Sequence, residues 1–458
     1  MKLKTTTLLV AGTLLGATML PAQANNDAMM NLLQVLRDRG TISPEDYNAL
    51  KTAADTDKAA SEEVVQKIDQ VEQDAVKVDL KKGLKISTGD DAFEMKIGGR
   101  VMADYAWIDD DRDLDGNGSE FRRARLYVSG KVFNDWVYKL QTDFAGNGVE
   151  LKDAYIGYTG FDNANITLGH HKMPFGLAEL TSSKYTTMME RSVVSDLFVP
   201  SRQNGVSVAT GGDTWSLTGA VHMQGIDNEN DEKDEDYGYG LRAHIAPWVD
   251  GTDAIHLGAA YHHQEYEKDG LVNGGYGEQE FGVRPEIHMV DHKLYEGTLT
   301  GVEDKDTYGL EAAAVFGPVS LQAEYMTADI GTQSRDADFS GWYVMGSWFL
   351  TGESRNYVAS EGVFDRVTPN TTVGQGGYGA WELAVRYSEL DMDDHDAPWA
   401  NANYFGQKGD ITTIGLNWYP TRNIRFMANY VNATSEYSNT GRPDDDIKAF
   451  QLRGQIDF

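Results

Sequence analysis

Seven arginines carry the most chemical information in this 458-residue sequence: Arg100, Arg123, Arg125, Arg242, Arg386, Arg425 and Arg453. Each falls on the polar side of a stretch in which apolar and polar residues alternate with a period of two. A guanidinium is always charged and presents a planar fork of donors that suits oxyanions. A row of them in a narrow water-filled path attracts anions and replaces part of their hydration. Low-dielectric walls focus that field. Carboxylates share the same faces: Asp104, Asp143, Asp153, Glu311, Glu324, Glu382 and Asp457. Two outcomes therefore stand open, a net path for anions or a wall whose acids cancel it.

A second group of candidates lies between Met173 and Arg202. This connection carries Phe175, Leu177, Leu180, Met188, Met189, Val193, Leu197 and Phe198, too many apolar residues for a solvated loop. Folding the segment into a lumen would bury them and narrow the passage. Ser182, Ser183, Lys184, Arg191 and Arg202 would then face the constriction. Hydroxyls, an ammonium and guanidinium groups together suit phosphate-like oxyanions.

The elements that must position these residues are strands. In the last ten residues, Phe450, Leu452, Gly454, Ile456 and Phe458 share one face, and Gln451, Arg453, Gln455 and Asp457 the other. A tilted strand of about ten residues spans a bilayer. The same alternation recurs from Phe93 onward. It predicts sixteen strands near 93–108, 120–132, 135–146, 149–160, 163–172, 203–211, 214–223, 237–247, 253–266, 306–316, 319–329, 340–350, 378–389, 409–419, 422–433 and 448–458. Tight turns at Asn134-Asp135, Phe161-Asp162, Gly211 to Asp213, Gly317-Pro318 and Pro420-Thr421 alternate with mostly long polar loops. Short turns on the periplasmic side and long loops outside form the outer-membrane pattern. The long connection from Thr351 to Gly377 departs from it, because parity places it on the periplasmic side. The expected fold class is therefore all-β: a sixteen-stranded antiparallel transmembrane β-barrel over residues 90–458, facing outer-membrane lipid. A mean hydropathy of −0.46 does not oppose this, because alternation hides apolar walls from hydropathy averages.

Lys2, Lys4, the apolar run Leu8 to Leu20 and the small-x-small site Ala22-Gln-Ala24 predict a secretory signal peptide over residues 1–24. Residues 25–85 read as a short α-helical or coiled-coil segment in the periplasm. Ser43-Pro44-Glu45-Asp46 is a helix start. Val64, Ile68, Val71, Ala75 and Val78 make a heptad seam of about two repeats. The seam either supports a homotrimer whose main interface lies elsewhere or lies on its own domain.

A net charge of −31 argues against a nucleic-acid partner, which needs a basic footprint. Zero cysteines exclude disulfides and thiol chemistry. Asp111 to Gly116 resembles the start of a calcium loop, but Arg122 stands where its bidentate Glu belongs. His170-His171 and His262-His263 are not metal pairs in strands, since neighbours point to opposite faces. No cofactor, metal ligand set or catalytic constellation is expected.

Four stretches resemble the phosphate-selective porin O and P family: FRRARLYVSGKVFNDWVYKLQTDFA from Phe121, ITLGHHKMPFGLAELTSSKYTTMMERS from Ile166, WFLTGESRNY from Trp348 and GAWELAVRYSELD from Gly379. The closing NIRFMANYVNATSEY and AFQLRGQIDF also look like it. The resemblance covers about Phe93 to Phe458. It implies a trimeric sixteen-stranded channel whose third external loop folds inward. By motif position it implies an anion-binding region at Ser182, Ser183 and Arg191 on the loop, Arg122 or Arg123 on the second strand and Asp153 on the fourth. Glu179 stands before the serines, where a lysine would suit an anion, and Lys184 follows them. The expected function is an outer-membrane channel for passive diffusion of small anions such as phosphate or polyphosphate. The alternatives are a general small-solute channel, a barrel-anchored surface receptor or enzyme, and a soluble secreted β protein.

Overall fold

The structure, a computed structural model, describes residues 20–458 apart from 75, 81–82, 111–115, 224–234, 268–275, 291–292, 294, 395–396, 399–406 and 438–443. Most of the expected signal peptide and residues 111–115 of the calcium-like loop lie outside the described residues.

Two helices, α1 (Leu20–Asp38) and α2 (Pro44–Asp74), belong to a unit of their own, separate from the strand body. The Ser43 hydroxyl opens α2: it accepts from the Asp46 backbone N–H at 3.1 Å and donates to the Asp46 carboxylate at 2.6 Å. The helix is shorter than the heptad seam. It stops at Asp74, and Val78 lies in an extended segment, Val76–Asp79. β-Branched valines at 76 and 78 favour a strand, which ends the seam near Val71.

Among the described residues the barrel has sixteen strands. They are β1 (Glu94–Asp110), β2 (Gly116–Val132), β3 (Trp136–Asp143), β4 (Glu150–Phe161), β5 (Ala164–Lys172), β6 (Arg202–Gly212), β7 (Trp215–Met223) and β8 (Tyr237–Asp250). The second half comprises β9 (Asp253–Glu265), β10 (Val302–Phe316), β11 (Val319–Thr332), β12 (Ala337–Phe349), β13 (Ala380–Asp391), β14 (Gln407–Thr421), β15 (Ile424–Tyr437) and β16 (Asp445–Asp457). Each pairs antiparallel with its sequence neighbours. β16 closes on β1, with Phe450 opposite Trp107 and Arg453 opposite Asp104. Closure leaves no barrel edge with unpaired backbone groups, the condition for crossing lipid with strands.

Alternation sorts the side chains as the sequence requires. Leu126, Leu140, Ile156, Leu168 and Val208, on five successive strands, are each about half exposed on the outer face. At the turn end the outer face carries aromatic residues. Trp136 and Tyr158 pack with centroids 4.9 Å apart, and Trp381, Trp418 and Phe426 stack at 5.5 Å. Such amphipathic rings suit the membrane–water interface. The 133–135 turn is tight because Phe133 and Asn134 both adopt left-handed backbone, φ 52° and 66°.

Within β5, Gly169 has φ +125°, and a Cβ there would stand 2.3 Å from the Ala154 carbonyl oxygen. Gly169→Ala is therefore expected to destabilise the barrel by about 1–3 kcal/mol from backbone strain alone. Heat-induced mobility shift of the folded protein on SDS gels should then occur at lower temperature. An unchanged shift temperature would refute this.

The lumen is largely filled. The loop between β5 and β6 folds inward and carries two short helices, α3 (Leu177–Leu180) and α4 (Val193–Phe198). Its Phe175, Leu177, Met188, Met189, Val193 and Phe198 are buried, as their apolar character demands. Phe175, Val193 and Phe198 join an apolar cluster with Ile330, Phe339, Ile411 and Ile447 of the inner wall. A second external loop, between β9 and β10, adds Phe281, Ile287, Tyr295 and Leu299 to the same cluster.

The parity problem at 351–377 resolves in the same way. The connection between β12 and β13 does leave from the turn end, and it enters the barrel. It forms a small hairpin, Asn356–Val358 with Val363–Asp365. Phe364 packs with Leu177, Ala313 and Val315, and its backbone N–H donates to Thr181 Oγ1 at 3.2 Å. The long connection is thus a lumen element rather than a solvated loop.

Candidate functional site

The lumen left open beside these inserts contains a cavity of about 740 Å³, lined by β1 to β5 and the inward loop. Eleven Lys and Arg residues line it against four Asp and Glu. That balance reverses the sign of the whole chain, whose net charge is −31.

Two β-bulges build much of this surface. In β2 the register passes from Met102↔Arg123 to Ala103↔Phe121, so Arg122 is an extra residue. In β4 it passes from Gln141↔Asp153 to Thr142↔Leu151, so Lys152 is extra. A bulge breaks strict alternation, and so two consecutive residues can turn to one side. Arg122 with Arg123, and Lys152 with Asp153, accordingly line the same cavity. Both Arg122 and Arg123 therefore face this cavity.

Some of these cations are neutralised. Arg125 donates to Asp143 at 2.6 Å. Asp153 takes Arg202 at 2.8 Å and Lys139 at 2.7 Å. Arg122 forms a two-point contact with Glu190 at 2.9 and 2.8 Å. Glu179 is held by Lys172 at 3.2 Å and Arg191 at 3.1 Å. Burial alone would raise the Glu179 carboxyl, but these two cations outweigh it and hold it at about 2. The acid before the serines is therefore a fixed countercharge inside the loop. Arg191 also donates to the carbonyls of Ala178, Glu179 and Thr181, which closes the loop on itself.

Four of the cavity cations, Lys96, Arg100, Arg123 and Lys184, have no carboxylate partner among the described residues. Arg100 reaches only the Ser182 hydroxyl, at 3.3 Å, and its Nε is buried without a partner. Arg123 reaches only the Met102 sulfur, at 3.9 Å, and its Nε is likewise orphaned. The Lys184 ammonium lies 5.8 Å from the centre of the Tyr127 ring and 5.1 Å from that of Tyr185. An uncompensated buried charge is costly. Burial lowers Lys184 to about 8, with Arg100 and Arg366 acting in the same direction and Asp457 against it. Ser182 and Ser183 border the same space. The expected residues Arg123, Arg125, Asp153, Ser182, Ser183, Lys184 and Arg191 are therefore brought together, and Arg100 joins them.

Four other inward arginines differ from the water-lining row that alternation suggested. Arg242 pairs with Glu311 at 2.7 Å and borders an adjoining 510 Å³ cavity that shares Thr167, His171, Lys172 and Leu180 with the first. Arg386 donates to the Glu190 carbonyl at 2.9 Å, Arg425 to the Thr186 carbonyl at 2.6 Å, and Arg453 to the Met189 carbonyl. Arg453 also pairs with Asp104 at 2.6 Å and Glu190 at 2.7 Å. These last three point inward, but the folded loop covers them and uses them as anchors. Lys96, Lys139, Lys152 and Lys172 are the cavity cations that the arginine pattern passed over. Alternation would have found Lys139, two residues from the inward Gln141; the bulge hides Lys152.

A closed barrel with an apolar belt, an inward loop and a polar, cation-rich constriction defines an outer-membrane porin. The chain belongs to the phosphate-selective porin O and P family, whose profile matches residues 95–458. Porin O of Pseudomonas aeruginosa is 28% identical over 417 residues, covering 83% of this chain and 92% of that protein. An uncharacterised protein of Caulobacter vibrioides is 33% identical over 362 residues, covering 76% of this chain and 69% of that one. The fold is like that of the outer-membrane channel DcaP of Acinetobacter baumannii, with a TM-score of 0.50, 14% identity and coverage of 80% and 98% of the two chains.

Proposed function

We propose that this porin is a passive anion channel whose binding region for phosphate or polyphosphate is the 740 Å³ cavity. The observation that carries the reading is the set of unpaired cations Arg100, Arg123 and Lys184 beside Ser182 and Ser183. A phosphate oxygen would satisfy the orphaned guanidinium donors and accept from the serine hydroxyls, with no rearrangement of the paired residues. Asp153, held by two cations, offers its carboxylate as a fixed orienting group rather than a competitor. Elsewhere in the lumen, Arg242 is paired with Glu311 and Arg386 with Glu286. The chain acts by conduction rather than catalysis, as a homotrimer, with residues 25–85 as a helical periplasmic extension.

Phosphate titrated into a chloride solution across a planar bilayer holding the purified protein tests the binding region. Saturable block of the chloride current is expected. Chloride current independent of phosphate would favour a general small-solute pore.

Lys184 adds a pH signature. Its ammonium is charged below about 8 and neutral above it. Anion preference measured in chloride salts alone should therefore fall between pH 7 and pH 9. Lys184→Arg should remove much of that fall, because a guanidinium does not titrate there. An equal fall in wild type and variant would assign it to other groups.

A further inference from the structure

The inward loop carries the cavity residues Glu190 and Arg191; contacts within the loop hold the Arg191 side chain, and the wall holds the backbone of both. The wall arginine Arg386 donates to both of their carbonyls, at 2.9 and 3.3 Å. Arg386 is itself held by a carboxylate from a different place in the chain, Glu286 of the external loop between β9 and β10. Glu286 is 3% exposed. Its carboxylate also accepts from the Val193 backbone N–H at 3.0 Å, Ser388 Oγ at 2.8 Å and Thr413 Oγ1 at 3.0 Å. Val193 opens α4, where a helix has backbone donors without internal partners. The Glu286 backbone carbonyl accepts from Gln451 Nε2 at 3.3 Å. Four wall residues from β13, β14 and β16 thus converge on one side chain and one carbonyl of a loop residue.

The backbone supports the same conclusion. Glu286 has φ 60°, a conformation that a non-glycine residue holds only when its surroundings impose it. Pro285 precedes it, and Arg284 closes the short turn by donating to the His288 carbonyl at 2.7 Å. The tip is a rigid peg.

We propose that Glu286 is a specificity-determining positioning residue, a latch by which the external loop between β9 and β10 holds the segment Glu190–Val193 against the cavity. Glu286 lines no part of that cavity and touches no solute. It acts through Arg386 and the Val193 N–H on Arg191 and Glu190. The proposal rests on the anion-binding reading, which it deepens by naming what keeps the site in register.

Charge and position predict opposite signs, which makes the latch testable. Glu286→Gln removes one negative charge and leaves Arg386 uncompensated. If only charge mattered, phosphate would block chloride current more strongly. If Glu286 positions the loop, the segment loosens, and the half-blocking phosphate concentration rises about tenfold, the effect of losing one charge-assisted contact. The double variant E286Q/R386Q, which is charge-balanced but still lacks the latch, should not recover wild-type block. Glu286→Asp, which keeps the charge, should recover part of it. Heat-modifiable mobility on gels shows in each case that the barrel is closed. If Glu286→Gln leaves block unchanged or strengthens it, the latch is overturned. If the wild type itself shows no phosphate block, the anion-binding reading has failed. The latch is then read from open-channel current: noisier and larger conductance in Glu286→Gln supports it, and an unaltered trace overturns it.

Discussion

Arg123→Ala raises the half-blocking phosphate concentration by about ten- to a hundredfold, the range expected for one or two lost hydrogen bonds to a charged group. The reason is geometric. Arg123 is buried and faces the cavity, and among the described residues it has no carboxylate partner. Its removal therefore releases no buried acid, so the effect falls on the solute rather than on the fold. Arg125→Ala provides the contrast. That substitution strands Asp143, now paired at 2.6 Å, and should disturb local packing and folding yield as well as block. Arg123→Lys keeps the charge but loses the fork, and should keep anion preference while losing part of phosphate affinity. Equal block in wild type and Arg123→Ala would remove Arg123 from the binding region. The check is the same phosphate titration, made on protein that passes the gel-shift test of barrel closure.

Replacing residues 352–378 by a two-residue turn raises single-channel conductance by a factor of about two or more, by opening lumen that the connection now fills. The connection is packed. Arg355 is buried, lies 3.4 Å from the centre of the Phe364 ring and donates to Gln322 Oε1 at 3.0 Å. Arg366 donates to the Tyr185 hydroxyl at 3.2 Å and pairs with Asp457. These contacts, with the Phe364 N–H donated to Thr181, join the β12–β13 connection to the inward loop at Thr181 and Tyr185. The same deletion should reduce anion preference, because it removes Arg366 and leaves its lumen partner Asp457 without that cation. Unchanged conductance and selectivity in a closed barrel would show that the ion path does not pass this element.

The barrel was legible because its code is repetitive. Alternation, turn residues and parity gave sixteen strands with ends within about four residues, as in 319–329 against Val319–Thr332. The inward fold of the β5–β6 loop was legible from its apolar residues alone. The family resemblance likewise placed Ser182, Ser183 and Arg191 in the candidate site. What failed had identifiable physical causes. A bulge adds one residue and turns two neighbours to one face, so alternation could not show that Arg122 joins Arg123. Inward direction does not mean contact with water. Arg453 lies on the expected face, but Asp104, Glu190 and a loop carbonyl enclose it. The long 351–377 connection broke the loop pattern, and only the tertiary structure shows that Phe364 draws it into the lumen. Glu286 carried no signal, because the groups that bind it come from residues 193, 386, 388 and 413.

The chain's overall charge and its cavity charge point in opposite directions, and the reversal potential across a planar bilayer under a KCl gradient decides between them. At neutral pH the cavity predicts a zero-current potential displaced toward the chloride equilibrium potential. Displacement toward the potassium equilibrium potential would contradict it and assign the channel's selectivity to the acids.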